Sequence, residues 1–486
     1  MTAVAVAATA AHDDDAAAVA LVEKKLVQWH LIAGFFFFLT STLWGFLVSL
    51  QFLHVYPFEG VSFLSAGRVR LLHTNEVAYG FLVNGFLGLL YYAVPRLTGR
   101  PVAGAKLGWF IFVVWQVTTL LTSAGQLLGF GQAVEWGETP TGFKPGSFEW
   151  NYVPIDLLIG VGAILVAWQF LTPIVRALHK RLYVSNWYFS AGFVWLVLTY
   201  VMGNVLPEWT MPGSSGAATA GLFIHDLVGL FVTPMGWGLM YFFVPVILRK
   251  PIWSHALSVI GFWALAFFYP LNGVHHFLLS TIPDSVEYGA IISTMAVELV
   301  VTTVVVNFFA TMWGNGYALR KSLPLRFFYT GMLYYFLTCL QCAFQTTHSF
   351  QEIIHFTDWV PGHAHLVMLG VFAQWILGAM NWLWPRLTGN EWYSRKLNGW
   401  HYWLTSLGTL IMFLDLLSAG LVMGFMQKAL APWMDIVRTL GPFWSVRTFA
   451  GGMVVAAQLL FAWNLYKTAI TPKPYDYRVD LVPATA

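Results

Sequence analysis

Charge is scarce in this chain. Of 486 residues, 10% are Asp, Glu, Lys or Arg, against about a quarter in average soluble domains. A soluble globule of this length is excluded, and so are disordered and collagen-like chains. The net charge is +3, too small to imply a strongly charged partner, so no nucleic-acid partner is expected. Two cysteines exclude a disulfide scaffold. No C-x-x-C-H occurs, so the chain attaches no c-type haem of its own. What is abundant is apolar and aromatic. Hydrophobic residues make up 58% of the chain, with 24 Trp and 40 Phe, as expected of helices packed in lipid with rings at the interfaces.

A membrane-spanning helix needs about 20 apolar residues. Twelve stretches qualify, at 28–54, 72–95, 107–131, 153–177, 187–206, 220–248, 255–281, 288–313, 325–347, 361–388, 399–427 and 444–467. The runs are continuously apolar rather than alternating, which favours helices over a barrel. The fold class is therefore an all-α polytopic membrane protein of about twelve helices. Three regions are expected: a disordered tail at 1–25, a twelve-helix domain at 26–470 and a C-terminal tail at 471–486. The start of the chain has Asp13, Asp14 and Asp15 and no apolar core, so it does not read as a signal peptide. No internal repeat is evident. With the N-terminal side taken as inner, 19 of the 25 basic residues fall on the inner flanks and loops and 6 on the outer. That bias places both termini in the cytoplasm.

Six histidines fall at one depth. His73, His225, His363 and His365 open segments that run inward, and His275 and His276 close a segment that runs outward. All six lie in the outer third of the membrane. Histidine inside a bilayer is costly and marks function, and imidazole suits iron, copper and zinc. His363 and His365 are two residues apart, about 200° around a helix, so one helix can ligate groups on both of its faces. His275 and His276 can reach one metal only near a distorted helix end, for which Pro270 and Gly273 are suited. His225 can add a third ligand. Cys339 and Cys342 read as core residues one turn apart.

The stretches G-R-V-R-L-L-H-T-N (67–75), Y-V-S-N-W-Y (183–188), F-Y-P-L-N-G-V-H-H (268–276), H-F-T-D-W-V-P-G-H-A-H (355–365) and W-P-R-L-T-G (384–389) resemble the haem-copper oxidase superfamily, specifically subunit I of cbb3-type cytochrome c oxidases. The resemblance runs from about 60 to 470 and identifies the twelve-helix region as a haem-copper oxidase catalytic domain. It implies that His73 and His365 ligate a low-spin haem b. His363 is implied as the proximal ligand of a high-spin haem, with b type expected, and His225, His275 and His276 as holders of copper. Tyr269 is implied as the active-site tyrosine, joined covalently to a copper histidine, which here would be His225. The implied activity is that of a terminal respiratory oxidase in a bacterial or archaeal cytoplasmic membrane. It reduces O2 to water with electrons from membrane-anchored c-type cytochrome subunits and translocates protons. Three departures stand out: Asp226 where the family usually has Asn, and the intramembrane acids Glu298 and Asp415.

Other residues surround this scheme. Arg68 and Arg70, with Arg447 ranked below them, are outer-side cations suited to pair with haem propionates. The family carries a Glu-x-x-Glu in an outer loop that binds calcium. Glu135 and Glu138 match that spacing, and calcium prefers oxygen ligands. Thr294, Glu298 and Thr302 form one helical stripe, with Glu298 placed to relay protons. Breaking the oxygen bond without releasing peroxide takes four electrons. The two metals give three, and Tyr269, seven residues before His276 and so on nearly the same helical face, can give the fourth. The competing reading is a nitric oxide reductase with non-haem iron in place of copper. Such enzymes carry a glutamate one turn after the first metal histidine, and here that position is Gly229.

Overall fold

The computed structural model describes residues 20–129, 155–179, 182–206, 210–211 and 213–476. Glu135 and Glu138 lie outside the described residues. Among the described residues there is no strand, only an isolated bridge between Asn390 and Pro474. Eleven helices among the described residues are long and apolar enough to cross a membrane. A twelfth, Val184–Tyr200, continues through a π-helical stretch, Val201–Val205. In chain order they are α1 (Lys24–Ser49), α2 (Ala66–Thr98), α3 (Ala105–Leu128), α4 (Ile155–Arg176), α5 (Val184–Tyr200) and α6, which begins as Ser214–Asp226 and ends as Thr233–Leu248. They continue with α7 (His255–Phe268), α8 (Asp284–Met312), α9 (Leu323–Gln345), α10 (Trp359–Thr388), α11 (Arg395–Lys428) and α12 (Trp433–Ile470). The chain is thus the all-α, twelve-helix membrane protein that its hydropathy indicates.

Burial separates these helices into two classes. In α2, α6 and α10 the apolar windows are 89%, 94% and 94% buried, whereas the other windows are half-buried or less. Three helices therefore form the centre and the rest surround them. The outer helices turn large apolar residues outward, such as Phe110, Val113, Val117 and Leu120 on α3 and Trp263 and Phe267 on α7. An outward face this apolar is stable only against lipid.

The three central helices also share a pattern that the linear sequence hides. Each carries a proline in its last turn, Pro95, Pro245 and Pro385, and each ends four residues later on a left-handed residue, Gly99, Arg249 and Gly389. In all three, the N–H of that end residue donates to the carbonyl of the proline. Each also contains a π-helical stretch: Glu76–Val83 in α2, Leu227–Val232 in α6 and Leu366–Ala373 in α10. A structural repeat is thus present where none is legible by eye. Its units share only these few positions, because most of each helix is free to be any apolar residue of the right size. The helices that follow α6 and α10 start on serine caps: Ser254 accepts from Leu257 N–H and Ser394 from Leu397 N–H. Ser322 caps α9 in the same way. Each cap satisfies one of the orphan donors of a helix start.

Candidate metal and haem site

The six histidines gather in the interior, at the same ends of the central helices. α7 stops at Phe268 and gives way to two 3-10 turns, Tyr269–Leu271 and Gly273–Phe277. The break falls where Pro270 and Gly273 anticipate it. It frees the adjacent His275 and His276 from the 100° step of an α-helix, so both meet His225. The potential ligand atoms of these three residues lie within 4.8 Å of one another. His225 Nδ1 and His276 Nε2 are 2.9 Å apart, and the ring centroids are 4.4 to 5.1 Å apart. Three imidazoles with no carboxylate among them form a nitrogen-only donor set, suited to copper, zinc or iron.

The hydrogen bonds around the rings leave particular nitrogens free. His275 Nδ1 lies 2.7 Å from Thr294 Oγ1, and Thr294 gives its own proton to the Ala290 carbonyl. Thr294 therefore accepts from His275, and Nε2 of that ring is left for a metal. His225 Nε2 is buried with no hydrogen-bond partner, as an unclaimed ligand atom would be. His276 keeps an open face while lying against His225 of α6 and near His363 of α10.

Tyr269 stacks on His225, with centroids 4.6 Å apart and planes at 16°. Seven-residue helical spacing does not set this contact, because the α-helix ends before Tyr269; the 3-10 turns bring the phenol against His225 instead. Gly229 makes room for it. A Cβ at that position would overlap the Tyr269 ring, so no side chain, glutamate included, fits there while the tyrosine stays in place.

His73 and His365 face each other from α2 and α10, with centroids 6.0 Å apart and planes at 20°. Two imidazoles bound to opposite sides of one ion put their centres about 6 Å apart, given metal–nitrogen bonds of about 2 Å. His73 Nδ1 bonds the Ser41 carbonyl at 2.8 Å, and His365 Nδ1 bonds the Pro361 carbonyl at 2.6 Å. Both Nδ1 atoms are thereby fixed as donors, and both Nε2 atoms are free to ligate. Gly45 on α1 brings bare backbone against the His73 ring, where a Cβ would lie 2.7 Å from Cε1. These two residues fit a bis-imidazole haem. His363 points elsewhere, as the two-residue spacing requires. Its Nδ1 is 3.0 Å from Gln341 Oε1, and Gln345 Nε2 lies 3.3 Å from its Nε2.

The arginines divide differently from their sequence ranking. Arg68 donates to the Leu127 carbonyl at 2.8 Å, bracing the end of α3. Arg70 is exposed on α2. Arg447, ranked lowest, lies over the Phe52 ring at 4.0 Å, 3.7 Å from Asp358, and has Nε and Nη2 buried without partners. A guanidinium with two unused, buried donors near His365 is what an anionic propionate would satisfy, and Arg70 is the arginine near His73. Asp358 is held by Trp444 Nε1 at 2.9 Å.

Of the stripe on α8, Thr294 faces His275 while Thr302 faces outward. Glu298 has Oε1 buried without a partner and lies near Cys339 and Cys342 of α9. Asp226 Oδ1 and Asp415 Oδ2 are likewise unpartnered. Outside the membrane segments, burial pushes the His355 imidazole below the ordinary histidine range, with the Leu278 carbonyl acting in the opposite sense. Sequence reasoning missed Ser41, Gln341, Gln345 and Asn272, the last of which hydrogen-bonds His225. The one signal that offered itself was the i, i+4 pair of glutamines on α9.

The chain is 28% identical over 428 residues to the Cbb3-type cytochrome c oxidase subunit CcoN1 of Stutzerimonas stutzeri, covering 85% of this chain and 88% of that one. It is 28% identical over 474 residues to the cytochrome c oxidase subunit 1 of Rhodobacter capsulatus, covering 92% and 87%. A nitric oxide reductase subunit of Stutzerimonas stutzeri is 21% identical over 478 residues, covering 93% and 96%. A cryo-EM structure of a heme-copper terminal oxidase dimer superposes with a TM-score of 0.77 at 14% identity, covering 94% of this chain and 85% of that one, and shows the same fold. The model of the family described as cytochrome c and quinol oxidase polypeptide I matches residues 25–453, and the chain therefore belongs to that family.

Proposed function

We propose that this chain is the catalytic subunit of a terminal oxidase that reduces O2 to water. His225, His275 and His276 would hold copper, His363 a high-spin haem, and His73 and His365 a low-spin haem b. Electrons would come from c-type cytochrome subunits through the low-spin haem, and turnover would be coupled to proton translocation. Both termini would lie in the cytoplasm. Calcium would bind at Glu135 and Glu138. When bound, the haem iron and copper supply the site at which oxygen is held and receives electrons.

The chain's own residues do the rest. Ser41, Pro361 and Thr294 fix three ring tautomers so that Nε2 points to the metal sites. Gln341 orients His363. Arg447 offers two N–H groups to a propionate. The Tyr269 hydroxyl holds a proton and an electron beside the metal ligand His225, and Glu298 stands on α8 as the acid that would resupply protons to that side. The observation that carries the reading is the stack of Tyr269 on His225, a metal-triad histidine, with Gly229 beneath it.

A second reading, nitric oxide reduction with iron in place of copper, has support in the unpaired acid Glu298 and in the reductase relative. Metal analysis with a pyridine haemochrome spectrum separates the two. Two haem irons and one copper per chain support the oxidase, and three irons without copper support the reductase.

A further inference from the structure

Glu287 lies in the first turn of α8 and is 2% exposed. Its contacts run to elements that lead to histidines of the site. Leu279 N–H donates to Oε2 at 3.1 Å and Ser280 N–H to Oε1 at 3.3 Å. These two residues follow His276 by three and four positions. On the other side, His348 Nε2 lies 2.9 Å from Oε2, and the His348 ring packs on Tyr288 at 5.0 Å. His348 opens a short helix, His348–Ile354, between α9 and α10.

That short helix is in turn bound to the surroundings of His363. Gln351 donates to the Gln345 carbonyl. The Gln345 side chain accepts from Trp359 Nε1 at 2.9 Å and faces the His363 ring at 3.3 Å. A second tie runs beside the first, because His355, just past the short helix, bonds the Leu278 carbonyl.

The turn that Glu287 holds is not one the chain adopts freely. Leu279 has φ of +63°, a left-handed conformation that costs any residue with a side chain. Two successive N–H groups of this turn converge on one carboxylate, as in an anion-binding nest. An ionised carboxylate has two acceptor oxygens with lone pairs to spare for a third donor; a glutamine has one acceptor oxygen, and an alanine none.

We propose that Glu287 is a positioning residue that sets the separation between the three-imidazole cluster and His363, by clamping the strained turn after His276 to the short helix before α10. It touches neither metal ligands nor substrate. The proposal rests on the reading that the cluster holds copper opposite a haem on His363.

The test uses the assembled oxidase with Glu287→Ala, Glu287→Gln and His348→Gln, and carbon monoxide as the probe of the reduced site. The infrared stretch of bound CO and its rebinding after photolysis report the space between the two metals. Glu287→Ala should retain both haems and copper, split or shift the CO band, and lower kcat about tenfold, as a sub-ångström misplacement does. KM for oxygen should stay within about twofold, since uniform binding is untouched. Glu287→Gln, keeping one acceptor, should fall between Glu287→Ala and the unmodified protein, and His348→Gln should keep a donor and change least. A single unshifted CO band and unchanged kcat in copper-replete Glu287→Ala overturn the clamp, even if the variant melts earlier. If Glu287→Ala does not assemble, an unshifted band in Glu287→Gln overturns it equally. Absence of copper from the unmodified protein overturns the metal assignment, and the proposal with it.

Discussion

Replacing Gly229 by alanine adds one methyl group at the most crowded point of the site. Gly229 lies in the π-helical stretch of α6, one turn past His225. A Cβ there falls within the Tyr269 ring, against Cε1, Cζ and Cδ1. Non-bonded carbons rest about 3.5–4.0 Å apart, so the ring has to move by about 2 Å. His225 stands close on the stacked side, at 4.6 Å between centroids, so the ring slides rather than lifts, and the phenol leaves the triad. Overpacking a core in this way costs about 1–3 kcal/mol, which a helical assembly of this size tolerates. Misplacing a reacting group by about 1 Å costs on the order of 100-fold in rate. Gly229→Ala should therefore keep both haems and copper while oxygen turnover falls about 100-fold. Polarographic oxygen uptake per haem, with metal analysis and peroxide detection on the same sample, gives the answer. Tyr269→Phe should reproduce the loss without any packing defect. Full oxygen turnover in metal-replete Gly229→Ala or Tyr269→Phe would refute the role given to this tyrosine. So would nitric oxide turnover far above oxygen turnover in the unmodified protein.

Four further substitutions probe separate parts of the site. His73→Ala should remove the low-spin haem spectrum and leave part of the high-spin signal, with His363→Ala doing the reverse; a normal low-spin spectrum in His73→Ala would break the pairing with His365. Thr294→Val removes the acceptor that fixes the His275 tautomer and should weaken copper binding about 10- to 100-fold, measured by chelator competition. Glu298→Gln should slow turnover strongly with all metals bound, and an unchanged rate would make the buried acid structural.

The sequence carries the convergence of the six histidines better than it carries their surroundings. Continuous apolar runs are enough to give the helices, because a bilayer leaves the backbone few alternatives. The depth of the six histidines follows from counting residues inward from charged loops. The spacing of His363 and His365 predicts their divergence, and Pro270 and Gly273 predict the break that lets His275 and His276 converge. Hydrogen-bond partners contributed by other helices leave no such trace. Ser41 is one of many serines until α1 packs on α2, and the worth of Arg447 lies in two donors that only burial leaves unpaired. For Tyr269, helical spacing points to the right neighbourhood through the wrong geometry, since Pro270 and Gly273 signal a break without showing that it begins at Tyr269 itself. The repeat in α2, α6 and α10 escapes notice for a related reason: it resides in backbone conformation, and the residues that signal it are a proline and a capping residue per helix.

The same repeat bears on why the ligands face inward at all. Each central helix meets its neighbours along its whole inner length, yet its histidine end presents imidazole to the interior, from His73 in α2, His225 in α6 and both His363 and His365 in α10. A π-helical stretch inserts one residue into the α register and so rotates everything beyond it by about 100°. In α2 the stretch opens three residues after His73, in α6 two after His225 and in α10 one after His365. In each case the insertion separates a histidine-bearing end from a packed end whose proline and left-handed cap are shared. Deleting one residue from Leu366–Ala373, for example Leu369, should restore the α register. His363 and His365 would swing away together, and both haem spectra would be lost from a protein that still inserts in the membrane. The matching deletion in Leu227–Val232 should remove copper and leave the His73–His365 low-spin spectrum standing. A deletion in α10 that preserves both haems would mean that the π-helical stretch is packing slack, and that the side chains around His363 and His365 aim them without it.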